Sequence, residues 1–186
     1  MSVNTAKARA YEAYLVAAAR RGDNTAFARL VAYRGPKLFA HAVRLLGHRE
    51  EAADAVQESW LEISRGLGRL RADTAFAPWA YRIVTRQCAR QIKRNIRSRK
   101  SVQAATEGQL LQAPPDTPDM PDGLAAAIAD LPALQAATIR LFYLEEYSLQ
   151  EVAQAMDVPA GTVKSRLATA RARLKTYLEG KENGQY

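Results

Sequence analysis

The sequence predicts an all-α chain of two small helical domains joined by a flexible linker, and three observations carry that prediction. Apolar residues recur at helical spacing through most of the 186 positions. Residues Tyr147 to Lys175 have the caps, turn and wheel pattern of a helix-turn-helix. Residues 101–123 break the periodicity, with no cation, four acids and four prolines. The expected boundaries are therefore a helical domain over 1–100, an acidic Pro-rich linker over 101–123, a helix-turn-helix domain over 124–180 and a polar tail over 181–186.

Taken in order, Thr5 to Leu46 reads as helical, with stripes at Tyr11, Tyr14, Leu15 and Ala18, then at Phe27, Leu30, Val31 and Tyr33. Gly22 suits a C-cap between them and Asn24 an N-cap. Gly35-Pro36 predicts a further interruption, after which Leu38, Phe39, Ala42, Val43 and Leu46 make a face that Gly47 closes. From Arg49 a helix should bury Ala53, Val56, Trp60, Ile63 and Leu67 and turn Asp54 and Glu58 outward, flanked by Glu51, Gln57, Leu61 and Glu62. That acidic and apolar strip is open to two readings, a solvated face or a dock for a basic protein surface.

Gly66 to Ala75 reads as a loop. A long helix starting at Pro78 then places Tyr81, Val84, Cys88 and Ile92 on one face and Arg82, Arg86, Arg90, Lys93, Arg94 and Arg97 on the other. Trp79 and Ile83 stand at the start of the basic stripe. An aromatic beside guanidinium groups can hold unstacked single-stranded bases, and Trp79 can equally be core.

In the second domain Leu124, Ile128 and Leu131, then Leu134, Ala137, Leu141 and Leu144, fall at helical spacing, and the residues after Leu178 read as a frayed polar end. Ser148 followed by Glu151 has the capping-box form, Asp157-Val158-Pro159 stops the helix, and Pro159 suits the start of the next. At about one hundred degrees per residue, Val163, Leu167, Ala170 and Leu174 share the buried side of that second helix. Opposite lie Ser165, Thr169 and Ala172, bracketed by Thr162, Arg166 and Arg173 on one edge and Lys164, Arg171 and Lys175 on the other. Small residues let a helix approach base edges while flanking cations reach phosphates. The competing reading is an ordinary solvated basic face.

Charge is uneven. Residues 1–100 carry 20 Lys or Arg against 8 acids, and residues 124–186 carry 7 of each, within a formal total of +8. A polyanionic partner follows, with nucleic acid first among candidates. One cysteine, Cys88, permits neither an intramolecular disulfide nor a thiolate zinc cluster, and on an apolar face it should be inert. His41 and His48 have no carboxylate pattern around them, so no metal or cofactor is expected. No Gly-rich phosphate loop, paired carboxylates or Ser/His/Asp set suggests an enzyme. The absence of an apolar leader or membrane-length stretch predicts a cytoplasmic protein with no membrane insertion.

Several ordered motifs resemble one family. They are Gly22-Asp23-x-x-Ala26-Phe27, Leu45-Leu46-Gly47-His48-Arg49-Glu50-Glu51-Ala52, Asp54-Ala55-Val56-Gln57-Glu58, Phe76-x-x-Trp79-x-Tyr81-Arg82-Ile83 and Gly161-Thr162-Val163-Lys164-Ser165-Arg166. The chain is similar, from about Arg20 to Leu178, to the bacterial extracytoplasmic-function sigma factors, which keep only sigma regions 2 and 4. The resemblance implies a non-catalytic initiation subunit that recruits core RNA polymerase, through the clamp helices of the largest subunit and the flap region, to promoter DNA in duplex and single-stranded form. It implies core contacts at Asp54, Gln57, Glu58 and Leu61. Minus-ten contacts would fall at Leu70, Arg71, Asp73, Thr74, Phe76, Arg82, Arg86 and Arg90, and minus-thirty-five contacts at Thr162, Lys164, Ser165, Arg166, Thr169, Arg171 and Arg173. An anti-sigma factor is the further partner implied. Thr169 stands where family members often carry a cation, and Ala55 where they often carry Leu. The alternative reading from another class is a helix-turn-helix transcriptional regulator that binds duplex DNA without docking on polymerase.

Overall fold

The computed structural model describes residues 3–101 and 122–182, and all the regular structure among them is helical. Helices α1 (Val3–Arg20), α2 (Asn24–Leu46), α3 (Arg49–Gly66) and α4 (Phe76–Ser101) form the first half. Helices α5 (Asp122–Ala129), α6 (Ala133–Ile139), α7 (Leu149–Met156) and α8 (Ala160–Glu182) form the second. The linker expected at 101–123 lies, from 102 to 121, outside the described residues.

Local chemistry explains the breaks. Gly22 takes φ +95°, and the N–H groups of Asp23 and Gly22 return to the carbonyls of Ala18 and Ala19, the paired bonds of a Schellman turn. The N-cap that follows is Asp23 rather than Asn24: its Oδ1 accepts from Thr25 N and Ala26 N at 2.9 and 3.0 Å. Gly35-Pro36 does not interrupt α2, which runs through both residues to Gly47, φ +76°. Pro36 and Ala32, whose carbonyl loses its usual donor, are both exposed, so water can satisfy that oxygen.

The buried face of α3 is Ala52, Ala55, Val56, Ser59 and Ile63, and Ala53 is exposed, contrary to the expected register. Trp60 stays partly buried, meeting Phe27 edge-on at 6.0 Å. Two single 3₁₀ turns, Leu67–Arg69 and Asp73–Ala75, carry the chain into α4. On α4 Tyr81, Val84 and Cys88 are buried as expected, whereas Ile92, one turn beyond the packed segment, is 41% exposed. Leu134 likewise faces solvent at 47%.

Helix α6 ends in a π-helical turn, Arg140–Leu144, closed by Glu145 N donating to the Arg140 carbonyl at 3.1 Å. Glu146 takes φ +52°, and α7 then opens on the reciprocal capping box of Ser148 and Glu151. Asp157 ends α7 in the left-handed region at φ +53°, and the Pro159 carbonyl receives the first N–H groups of α8. Helix α8 continues to Glu182, beyond the fraying expected after Leu178.

One hydrophobic cluster runs through both halves, from Leu15, Leu30, Leu38, Ile63, Phe76 and Val84 to Ile139, Leu141, Val152, Met156, Val163 and Leu167. It is continuous because α7 packs on α4 and α6 on α2. Where the sequence predicts two tethered bodies, the structure closes one on the other.

Candidate nucleic-acid interface

Helix α8 presents the face expected of a recognition helix. Val163, Leu167 and Ala170 are buried against α6 and α7, which leaves Lys164, Ser165, Thr169, Arg171, Ala172, Arg173 and Lys175 exposed. Thr162 and Arg166 are half-buried at the edge. Ser165 Oγ donates to the Thr162 carbonyl and Arg171 Nε to that of Leu167, at 2.9 and 3.3 Å. Burial pulls the Arg166 pKa down.

The segment from Leu70 to Phe76 is divided by burial. Leu70 and Phe76 are core residues that anchor it, Arg71 and Thr74 are exposed, and Asp73 is held by an ion pair from Arg20 at the end of α1. Trp79 packs beneath this segment, against Phe76 and over Gly66, where an added Cβ would come within 2.9 Å of the indole. Trp79 and the buried Ile83 thus belong to the packing.

The basic stripe of α4 is shared out among neighbours. Arg82 Nε donates to Asp157 Oδ1 at 2.7 Å, at the turn of the helix-turn-helix. Arg86 is exposed, while Arg90 and Arg94 approach Glu62 and Glu58 of α3 at 3.9 and 3.8 Å. The outer face of α3 is a shallow hollow lined by Asp54, Gln57, Glu58 and Leu61 together with Gln91 and Arg94 of α4. At its floor is apolar surface, for Leu61 is 53% exposed. Gln91 and Arg94 were not among the expected docking residues, because which α4 side chains meet α3 depends on how the helices cross.

A second polar cluster, missed from the sequence, lies where the halves meet. Arg34 of α2 is 5% exposed and paired with Glu12 of α1, with Nη2 to Oε2 at 2.8 Å, and its Nη1 donates to Glu145 Oε2 at 3.1 Å. Burial works against the Arg34 charge, but Tyr147 and Glu12 outweigh it and raise its pKa well above the ordinary value. Lys37 Nζ reaches Glu145 Oε1 at 2.8 Å. Arg9 donates to the carbonyls of Glu146 and Glu145 at 2.8 and 3.3 Å and lies 3.6 Å from the Glu151 carboxylate. Tyr147 stacks edge-on to Tyr81 at 6.1 Å, and burial pushes both phenols up. Glu145 therefore has a physical role, as counterion to two cations of α2; the adjacent Glu145-Glu146 pair was its only signal in the sequence.

Beside this cluster Thr85 Oγ1 donates to the Ala155 carbonyl at 2.8 Å. With its single proton committed there, the hydroxyl accepts from His41 Nε2 at 2.9 Å, which fixes the proton of the neutral imidazole on Nε2. Burial, then Arg44, lowers the His41 pKa to about 3. Burial also pushes the Cys88 thiol up to about 12. No helix among the described residues is long and apolar enough to cross a membrane.

Comparison with known proteins places this geometry. Residues 30–98 match the family model of sigma-70 region 2, and residues 122–174 match that of sigma-70 region 4. The chain belongs to the sigma-70 family of RNA polymerase sigma factors, in its extracytoplasmic-function group. Among its relatives, the ECF RNA polymerase sigma factor SigM of Mycobacterium tuberculosis H37Rv is 33% identical over 171 residues, spanning 90% of this chain and 84% of SigM. The fold is shared with the sigma factor RpoE of Bartonella quintana, solved with the anti-sigma factor NepR, at TM-score 0.62, 22% identity and coverage of 82% and 96% of the two chains. It is shared also with CnrH, solved with the cytosolic domain of CnrY, at TM-score 0.60, 23% identity and coverage of 91% and 98%.

Proposed function

We propose that this protein acts in the cytoplasm as a promoter-specificity subunit, binding core RNA polymerase through α3 and promoter DNA through α4 and α8. Asp54, Gln57, Glu58 and Leu61 form the core-binding face, an exposed leucine among acids that suits a basic, partly apolar helical surface on the largest subunit. Thr162, Lys164, Ser165, Arg166, Thr169, Arg171 and Arg173 read or grip the minus-thirty-five duplex. Arg71, Thr74, Arg82, Arg86 and Arg90 engage the minus-ten strand once it is unpaired, at a cost of a few kcal/mol that phosphate contacts offset. Leu70, Asp73 and Phe76 hold the loop in shape. An anti-sigma factor is the matching regulator, since a protein that covers α3 and α4 would silence both activities.

The observation that carries this reading is the exposed acidic and apolar face of α3 on the same chain as a capped, basic helix-turn-helix. A plain duplex-binding regulator has no use for the first. Asp54→Arg with Glu58→Arg should abolish co-purification with core polymerase while leaving the helical circular-dichroism spectrum intact. Normal co-purification would overturn the docking assignment.

A further inference from the structure

A cavity of about 330 Å³ lies where α2 and α4 face α6 and the π turn, near the lower end of the ~300–1,000 Å³ typical of small-molecule pockets. Two irregular stretches of helix border it: Pro36, set inside α2, and Arg140–Leu144, the π turn itself. Such π turns recur at functional sites.

The wall of this cavity is cationic. Lys37, Arg44 and Arg140 line it, and Glu145 is the single acid among the described lining residues. His41 adds no charge, because burial holds its ring neutral. Glu145 is matched within the protein by Lys37 and by Arg34, at 2.8 and 3.1 Å. The excess positive charge therefore falls on Arg44 and Arg140, both half-buried, and each guanidinium has five N–H donors, more than a single partner occupies. Partly desolvated guanidinium groups suit a carboxylate or a phosphate, which each can hold through two parallel bonds. The rest of the wall is apolar or aromatic: Ala40, Ala137, Leu141 and Leu144, with the ring of Tyr81. Burial keeps that phenol protonated, so it adds no negative charge beside the cations.

We propose that this cavity binds a small organic oxyanion, a carboxylate or phosphate on a body about one ring in size. Arg44 and Arg140 hold the head group, and Ala40, Ala137, Leu141 and Tyr81 cover the body. The cationic faces of α4 and α8 are open helix surfaces without such a wall, so they suit a polymer of phosphates and the cavity suits a small amphipathic anion. The site depends on neither the polymerase-binding nor the DNA-binding reading above.

Amide NMR of the full chain at constant ionic strength tests the site, with phenyl phosphate and phenylacetate as probes. At least one should give saturable shifts centred on Ala40, Ala137 and Leu141, and the one that does so identifies the head group. Inorganic phosphate, the head without the ring, and benzyl alcohol, the ring without the charge, should each bind at least about tenfold more weakly. Shifts confined to the basic faces of α4 and α8, or growing without saturation, would overturn the site. Inorganic phosphate bound as tightly as phenyl phosphate would overturn the ligand class.

Arg140→Gln should weaken the better probe about tenfold. Arg65→Gln, the same charge change on α3, should leave it unaltered. Arg44→Gln replaces the first variant if that one does not fold, and the map of shifts on the wild-type chain needs no variant at all. Equal affinity in a folded Arg140→Gln or Arg44→Gln protein would contradict the placement of the head group.

Discussion

The Thr85 hydroxyl gives its proton to the carbonyl of Ala155, joining the middle of α4 to the last turn of α7. Within a continuing helix that carbonyl would be met by the N–H four residues on, but residue 159 is proline and has none. A side chain from the other half of the chain supplies the missing donor. Thr85→Val, which keeps the shape and removes the hydroxyl, strands both the carbonyl and the Nε2 proton of His41. It should cost about 1–3 kcal/mol, read as a lowered midpoint of chemical denaturation.

His41 makes the stability of the protein sensitive to acid. Its folded pKa, about 3, lies below the ordinary value of 6.5, so the unfolded chain binds the proton first as pH falls. The stability from keeping this ring neutral is complete above pH 6.5 and is lost progressively down to about 3, at up to about 1.4 kcal/mol per pH unit. Denaturation of wild type and His41→Gln at pH 7 and pH 5 measures it. The gap between the two proteins should narrow at pH 5, and a constant gap would contradict the assignment.

Gly66 is required by its neighbour rather than by its own backbone. A methyl group there meets the Trp79 ring at 2.9 Å. Gly66→Ala should displace the indole and cost about 1–3 kcal/mol of overpacking, visible as a lower melting temperature and a shifted tryptophan emission.

On α8 the exposed Lys164 and the half-buried Arg166 should separate by assay. Lys164→Ala should weaken duplex binding evenly across sequences and lower the salt slope by about 1, the behaviour of a phosphate contact. Arg166→Ala should cost about 1–3 kcal/mol and relax preference at one position. Binding to a randomised duplex library at two salt concentrations distinguishes them.

What the sequence disclosed was local. The capping box at Ser148, the stop at Asp157-Val158-Pro159 and the glycine caps at Gly22 and Gly47 each depend on a few adjacent residues, and each forms as expected. Errors arose where solvent or a distant neighbour decides. Pro36 does not break α2 because its side of the helix is wet, and Asp23 caps in place of Asn24 because the Schellman turn aims its carboxylate at the free N–H groups. On α3 Val56, Ile63 and Leu67 are buried as expected, but the face is rotated enough to bury Ala52, Ala55 and Ser59 and expose Ala53, since its packing partners α2 and α4 set the register. The candidate site residues on α3 and α8 are exposed as their wheel positions required, apart from the half-buried Thr162 and Arg166 at the edge of α8. Leu70 and Phe76 were drawn into the core, and the contact between the halves around Arg9, Arg34, Glu145 and Thr85 joins residues up to 137 positions apart, which no local pattern encodes.

Arg34 answers to two carboxylates, and they differ in tenure. Glu12 comes from the same half of the chain and stays with the guanidinium whether or not Glu145 does. In a genetic screen the two acids should therefore part company. Lesions at Glu12 strand a buried cation and should surface as alleles with little protein, while lesions at Glu145 leave the guanidinium a partner within its own half and should be milder. One arginine thus lets the contact between the halves vary while the first half keeps its own buried ion pair.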